Sequence, residues 1–243
     1  MIDAISAAVV RHRRPVLMAG VLVATGNAAA MGYAPNVARA LFLPLLLLTL
    51  AALVLSVISL GSRPAALVVL PQTPGFATPV PARLPLLTLG LLGSASATVG
   101  AYLRSTEAGI GTTFDAVVGA LWVGVIALLV AAAWRGHDVL LSPTGVRTIG
   151  LLGSRRVPWE AGPGLVVPRD VERAPRLRLT IATPALARRR GLVGRATVPV
   201  NSVDPRFLAA AVGHYVTHPQ HRAAIGTADE YRRLLTELRG ATG

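Results

Sequence analysis

The 243-residue chain contains no cysteine. Disulfides, thiolate metal sites and cysteine nucleophiles are therefore excluded. It contains no lysine either, since all 24 basic residues are arginine, and a phosphate-cradling Gly-x-x-x-x-Gly-Lys loop is thereby excluded. Charge is scarce: 14% of residues are Asp, Glu, Lys or Arg, against about 25% in a soluble globular domain. The acids are scattered and form no pair in the sequence for general acid–base work. No Gly-x-Ser-x-Gly elbow is present. Aromatic residues make up 5%, and none lies between the arginines of the basic runs, so the stacking platforms of a single-stranded nucleic-acid binder are missing. No catalytic residue, resident metal or cofactor and no nucleic-acid partner is expected.

What is present is apolar. Hydrophobic residues make up 53% and the mean hydropathy is +0.58. Four stretches, 16–34, 40–60, 84–103 and 114–134, have about the 20 residues that a helix needs to cross a bilayer. None holds an ionisable residue away from its ends. Arg11, Arg13 and Arg14 precede the first, Arg63 and Arg83 bound the middle loop, and Arg135 follows the fourth. The positive-inside rule then puts the N-terminus, that loop and the whole C-terminal half on the cytoplasmic side of the membrane. A rival reading takes the first stretch as a cleaved signal peptide, with "RHRRP" as its basic region and "GNAAAM" as its cleavage site. The loop 61–83 carries five prolines and is expected to be extended. In the third stretch Gly90 and Ser94, then Ser96 and Gly100, stand four apart. Such pairs let helices approach closely, within the bundle or in a homo-oligomer. Asn27 and Thr98 are candidates for hydrogen bonds between helices.

From Asp138 the period changes. "VLLS", "GVRTIGLL", "RRVPW", "GLVVP", "RLRLTIAT" and "RATVPV" are short, β-rich and separated by turn residues. In "RLRLTIAT" Leu177, Leu179 and Ile181 alternate with Arg176, Arg178 and Thr180, as a strand with one buried face requires. Asp204 and Pro205 open an amphipathic helix that Pro219 closes. "TADE" from Thr227 is a capping box for a second helix that ends near Gly240. The expected fold class is an α+β membrane protein: a four-span bundle over 1–135, a small β-barrel or sandwich over 136–220, and a helical tail over 221–243.

The run "LLSPTGVRT" through "RRVPWE", the amphipathic helix and "HYVTHPQHRAAIGT" resemble the pleckstrin-homology-like domains attached to bacterial, particularly actinobacterial, membrane proteins. The resemblance covers about residues 136–226. It implies a hairpin at Pro143–Val146, a Pro-Trp pair at 158–159 closing the third strand, and a helix over Asp204–Thr217 that plugs the barrel. It implies no catalytic residue.

Residues 136–243 hold 16 arginines against 8 acids, a net charge of +8. Arg155 and Arg156 are expected in a hairpin turn, and Arg188, Arg189, Arg190 and Arg195 in a glycine-bounded loop and the strand after it. Beside an anionic leaflet each is worth about 1 kcal/mol, so these six are the candidate lipid-binding residues. His214 and His218 have the spacing of two ligands on one helix face. With no Cys or Glu close by in sequence, they are expected to be helix-end histidines that meet the dipole. The expected function is a non-enzymatic adaptor for a protein partner or anionic lipid. A transporter or channel component, and an envelope-lipid enzyme using His137, Asp138 or Glu160, are the alternatives.

Overall fold

The computed structural model describes residues 8–59, 63–70, 73–109, 113–135, 138–150, 153–170, 176–192 and 196–240. They form two compact units. The first takes residues up to 61 together with 81–136, and the second takes 62–80 together with 137–243.

The first unit consists of four long helices: α1 (Arg13–Tyr33), α2 (Pro35–Ile58), α3 (Arg83–Glu107) and α4 (Thr113–Arg135). Each is long and apolar enough to cross a membrane. The central helix is α3, which touches the other three. It is also rich in small residues, several of which allow close packing. A Cβ on Gly90 would lie 2.6 Å from the Leu53 side chain of α2. A Cβ on Gly100 would lie 2.5 Å from Met31 Cβ and 2.9 Å from the Ala28 carbonyl oxygen of α1. Asn27 donates to Ser96 Oγ at 2.9 Å, an interhelical bond as expected. Thr98, by contrast, donates to the Ser94 carbonyl of its own helix. Gly90, Ser96 and Gly100 therefore serve packing inside the bundle. At one end of the bundle the Arg14 guanidinium lies 5.6 Å from the Trp134 ring centroid, so the start of α1 meets the end of α4. The flanks of α2 and α4 leave Phe42, Leu47, Phe114 and Leu121 exposed.

The second unit has two antiparallel sheets. In the six-stranded sheet the order is β1 (Val68–Val69), β2 (Phe76–Ala77), β3 (Val139–Ser142), β4 (Gly145–Ile149), β5 (Gly153–Pro158) and β8 (Arg188–Gly191). The other runs β6 (Pro163–Val166), β7 (Arg176–Ile181) and β9 (Thr197–Pro199). Among the described residues no strand of one sheet pairs with the other, so the expected barrel is not closed. The two sheets share one core with α5 (Pro205–Thr217) and α6 (Ala228–Gly240). Leu141, Val146 and Val157 come from the first sheet, Leu177, Leu179 and Val198 from the second, and Leu208, Val212 and Tyr215 from α5. The alternation read in β7 is present: Leu177 and Leu179 are buried while Arg176, Arg178 and Thr180 are exposed. Asp204 caps α5, accepting from the Phe207 amide at 2.7 Å. Pro158 ends β5, and Trp159 follows with its indole donating to the Ser142 carbonyl at 2.9 Å and its ring 5.8 Å from Tyr215.

The proline-rich loop is extended, as expected, and has a further role. It is not merely extended, because residues 62–80 belong to the sheet unit. Phe76 pairs with Leu141 and Ala77 with Leu140 across β2 and β3. Phe76 is fully buried, its ring 5.4 Å from Tyr231 of α6. The Tyr231 hydroxyl accepts from the Leu67 amide at 2.9 Å, and the Pro64 carbonyl accepts from the Asp204 amide at 3.0 Å. The helical tail likewise is part of this unit, with Leu234 of α6 in the shared core.

Candidate functional site

Two clusters of chemistry-bearing side chains stand out, both in the sheet unit. The first is a row of arginines. Register pairs Arg147 of β4 with Arg156 of β5, and Arg156 with Arg188 of β8. Directly paired residues point to the same face, so three guanidinium side chains form one row across three strands. Arg190, opposite Ser154, extends the same face two residues along β8. Arg147, Arg156, Arg188 and Arg190 are all exposed. Among the described residues no carboxylate pairs with any of them. Arg156 donates instead to Thr144 Oγ1 at 2.6 Å, which fixes its head in the β3–β4 turn.

The structure sorts the six arginines singled out from the sequence. Arg188, Arg189 and Arg190 are not in a loop; they form an edge strand paired to β5. Arg155 and Arg156 lie in β5 and not in the turn before it. Arg156 points outward, but Arg155 shares the inward face with Val157 and is only 1% exposed. Burial, and next the neighbouring Arg189, push its pKa below the usual arginine value. Arg155 is thus withdrawn from a surface ligand, because alternation within β5 turns it towards the core. Arg189 lies opposite Arg155 and faces away from the row. Arg195 lies outside the described residues. The exposed row gains one residue that the sequence reading did not select, Arg147. Its signal was present in "GVRTI", where Val146 and Thr148 are buried on either side of it.

The second cluster is built on α5, the turn after it, and α6. His214 Nε2 and His221 Nδ1 are 3.0 Å apart. His214 Nδ1 is 3.1 Å from Glu237 Oε2. His218 stacks on both rings, with centroids 4.5 Å from His214 and 5.3 Å from His221, and its Nδ1 lies 3.0 Å from the His214 carbonyl oxygen. Glu230 is buried, accepts from the Tyr215 hydroxyl at 3.0 Å and is paired with Arg233. Thr227 caps α6 by accepting from the Glu230 amide at 3.2 Å, but the Glu230 carboxylate is turned to Tyr215 and Arg233, so only half of the expected capping box forms. Sequence reasoning found the histidines and missed the acids. Glu230 and Glu237 are seven apart, two turns on one face of α6, and α6 folds back against α5.

Burial lowers the pKa of His214; Glu237 opposes it, His218 and His221 add to the lowering, and Glu230 opposes. Burial, then the Glu230 charge, pushes Tyr215 up. With His214 lowered in the folded state, the unfolded chain binds the proton more tightly below its unfolded pKa of about 6.5. Stability is held above that pH and falls as the pH drops towards the folded value. The melting temperature of the metal-free chain is therefore expected to be lower at pH 5.5 than at pH 7.5. His214→Gln should flatten that fall, and an equally steep fall in the variant would assign it to other groups.

Of the three residues suggested for an envelope-lipid enzyme, His137 lies outside the described residues, Asp138 is half-buried just before β3 and Glu160 is exposed.

No family model matches the chain, and no solved structure matches it. Among curated proteins, the alpha-2-macroglobulin of Xylella fastidiosa strain Temecula1 is 27% identical over 151 residues. The alignment takes in 58% of this chain and 9% of that protein. The alpha-2-macroglobulin of strain 9a5c is 26% identical over the same shares. The chain thus spans about a tenth of the length of the curated relatives it matches. No family membership follows at that identity and coverage.

Proposed function

We propose that the chain is a non-enzymatic, multi-pass protein of a bacterial cytoplasmic membrane. Its sheet unit acts as a pleckstrin-homology-like module that binds anionic lipid head groups through Arg147, Arg156, Arg188 and Arg190. The observation that carries the reading is the row itself. Like charges placed directly across a sheet destabilise it by a few tenths to about 1 kcal/mol per pair. An anion lying over the row relieves that repulsion, and guanidinium groups grip phosphate bidentately.

Membrane insertion is supported by the four long apolar helices and by the exposed Phe42, Leu47, Phe114 and Leu121, which water would penalise and acyl chains would not. The arginine flanks support a cytoplasmic side for both termini and the sheet unit. Residues 136–138 are all that join the end of α4 to β3, a short covalent tether. Even a weak attraction then suffices to orient the module. The alpha-2-macroglobulin matches contribute nothing to this reading.

Native mass spectrometry of the full chain, purified in mild detergent with equal phosphatidylglycerol and phosphatidylcholine, tests it. Phosphatidylglycerol is expected to stay bound preferentially, and the R156A/R188A/R190A variant should lose that preference while keeping its fold. Equal retention of both lipids, an unchanged variant, or an acidic protein retained in place of lipid would overturn the proposal.

A further inference from the structure

We propose that His214, His221 and Glu230 form a binding site for a divalent zinc-type cation that clamps α5, the following turn and α6 together. His214 sits in the last turn of α5, His221 in the 3-10 turn Pro219–Ala224, and Glu230 in the first turn of α6. One potential ligand atom from each lies within 4.8 Å of the other two.

The hydrogen bonds set the donor atoms. Glu237 is acceptor-only, so the contact to His214 Nδ1 places the proton on that nitrogen and leaves the lone pair on Nε2. That lone pair faces His221 Nδ1 at 3.0 Å. Two nitrogens bound to one tetrahedral zinc at 2.0–2.1 Å stand about 3.3 Å apart. A metal therefore replaces the shared proton between the rings with an outward movement of a few tenths of an ångström. Glu230 supplies an oxygen, and its partner Arg233 already lies 3.9 Å from Glu237 Oε1, so the released guanidinium has a second carboxylate at hand. A carboxylate behind a ligating histidine is the usual means of fixing its tautomer and raising its basicity, which is the place Glu237 occupies. Two imidazoles and one carboxylate suit zinc better than calcium or magnesium, which take oxygen ligands. His218 is no ligand: its Nδ1 is turned to the His214 carbonyl and its ring covers the other two. Burial holds His214 neutral, the form a metal needs, while His221 is half-buried and leaves a way in.

Cobalt(II) titration of the tag-free, chelator-treated full chain in detergent provides the test, with zinc as competitor. One equivalent of cobalt should give the visible absorption of a four-coordinate site, and one equivalent of zinc should remove it. Glu237→Gln should weaken binding by about 10–100-fold, the range for a group bonded to a ligand, and His221→Ala by more. His218→Ala should bind within about threefold of the parent, since it removes no ligand. Glu230→Gln also removes the buried carboxylate that pairs with Arg233, so His221→Ala, at a half-buried position in a turn, is the deciding variant. No visible absorption, binding unchanged in His221→Ala, or a loss in His218→Ala as large as in His221→Ala would overturn the proposal.

Discussion

Trp159→Ala is expected to unfold the sheet unit. A buried Trp truncated to Ala costs about 3–5 kcal/mol, against a total stability of about 5–15 kcal/mol for a domain. Trp159 is 2% exposed and joins three parts of the unit. Its indole holds the Ser142 carbonyl at the end of β3, its ring packs on Tyr215 of α5, and the Arg222 guanidinium lies 5.6 Å from its ring centroid. Arg222 in turn donates to the Tyr215 and Val216 carbonyls at the end of α5. Losing the ring therefore opens a cavity between the sheet and α5 and loosens the cap of that helix. Trp159→Phe keeps most of the packing and loses the hydrogen bond, so its cost should be near 1 kcal/mol. Hydrogen exchange of β3–β5 in detergent checks both. Fast exchange throughout those strands in Trp159→Ala, with α1–α4 still protected, is the expected pattern. Protected strands in that variant would remove Trp159 from the centre of the core.

Gly226→Ala is the second large effect. Gly226 has φ +102°, a conformation that side chains disfavour by about 1–3 kcal/mol. Its environment adds to this. A Cβ there would lie 2.2 Å from the Gly75 nitrogen and 2.6 Å from the Pro74 carbonyl carbon, both backbone atoms that cannot swing aside. Overpacking of this kind costs about 1–3 kcal/mol more. The strain falls where the turn before α6 meets the hairpin of β1 and β2, so that hairpin should detach first. Proteolysis within residues 66–78, slow in the parent and fast in Gly226→Ala, is the expected readout. Equal cleavage of the two proteins would show that the hairpin is not held at this point.

The same hairpin marks the limit of what the sequence reveals. Its two-residue strands sit among five prolines and show no alternation, and the pairing that ties the hairpin into the sheet, Phe76 with Leu141, joins residues far apart in sequence. A pairing that distant leaves no local period. It has a practical consequence: residues 136–243 alone lack Phe76 and the edge it covers, so the full chain is the proper object for binding experiments. β7 was legible because its two faces differ in water exposure. β8 was not, because an edge strand of three exposed arginines has no buried face to alternate with, and a run of charge reads as a solvated loop. Its charge also discourages edge-to-edge pairing with another sheet, which is why the arginine variants are judged on lipid preference with solubility checked. Arg155 could have been placed from its spacing to Val157, but the adjacent Arg156 hid the alternation. The cap at Asp204 and the four apolar runs were legible because each depends on a few neighbouring residues. Glu230 and Glu237 were invisible as partners of His214 because only the fold-back of α6 brings them together.

The chain's lack of cysteine permits one direct test of the central claim, that the arginine face docks on anionic lipid. Leu192 is 78% exposed and follows β8 immediately. Leu192→Cys, labelled with an environment-sensitive fluorophore, reports on that edge alone. The labelled full chain would be placed in nanodiscs of phosphatidylcholine with and without about 30% phosphatidylglycerol. The three arginines removed in R156A/R188A/R190A, at about 1 kcal/mol each, account for a roughly 100-fold shift in the docked population. The emission should therefore move to the blue and brighten only with the anionic lipid. It should revert near half-molar salt, as the Debye length shrinks from about 10 Å at 0.1 M towards about 3 Å at 1 M, and fail to appear in R156A/R188A/R190A. Identical emission in neutral and anionic nanodiscs, or a shift that survives the triple substitution, would contradict the account.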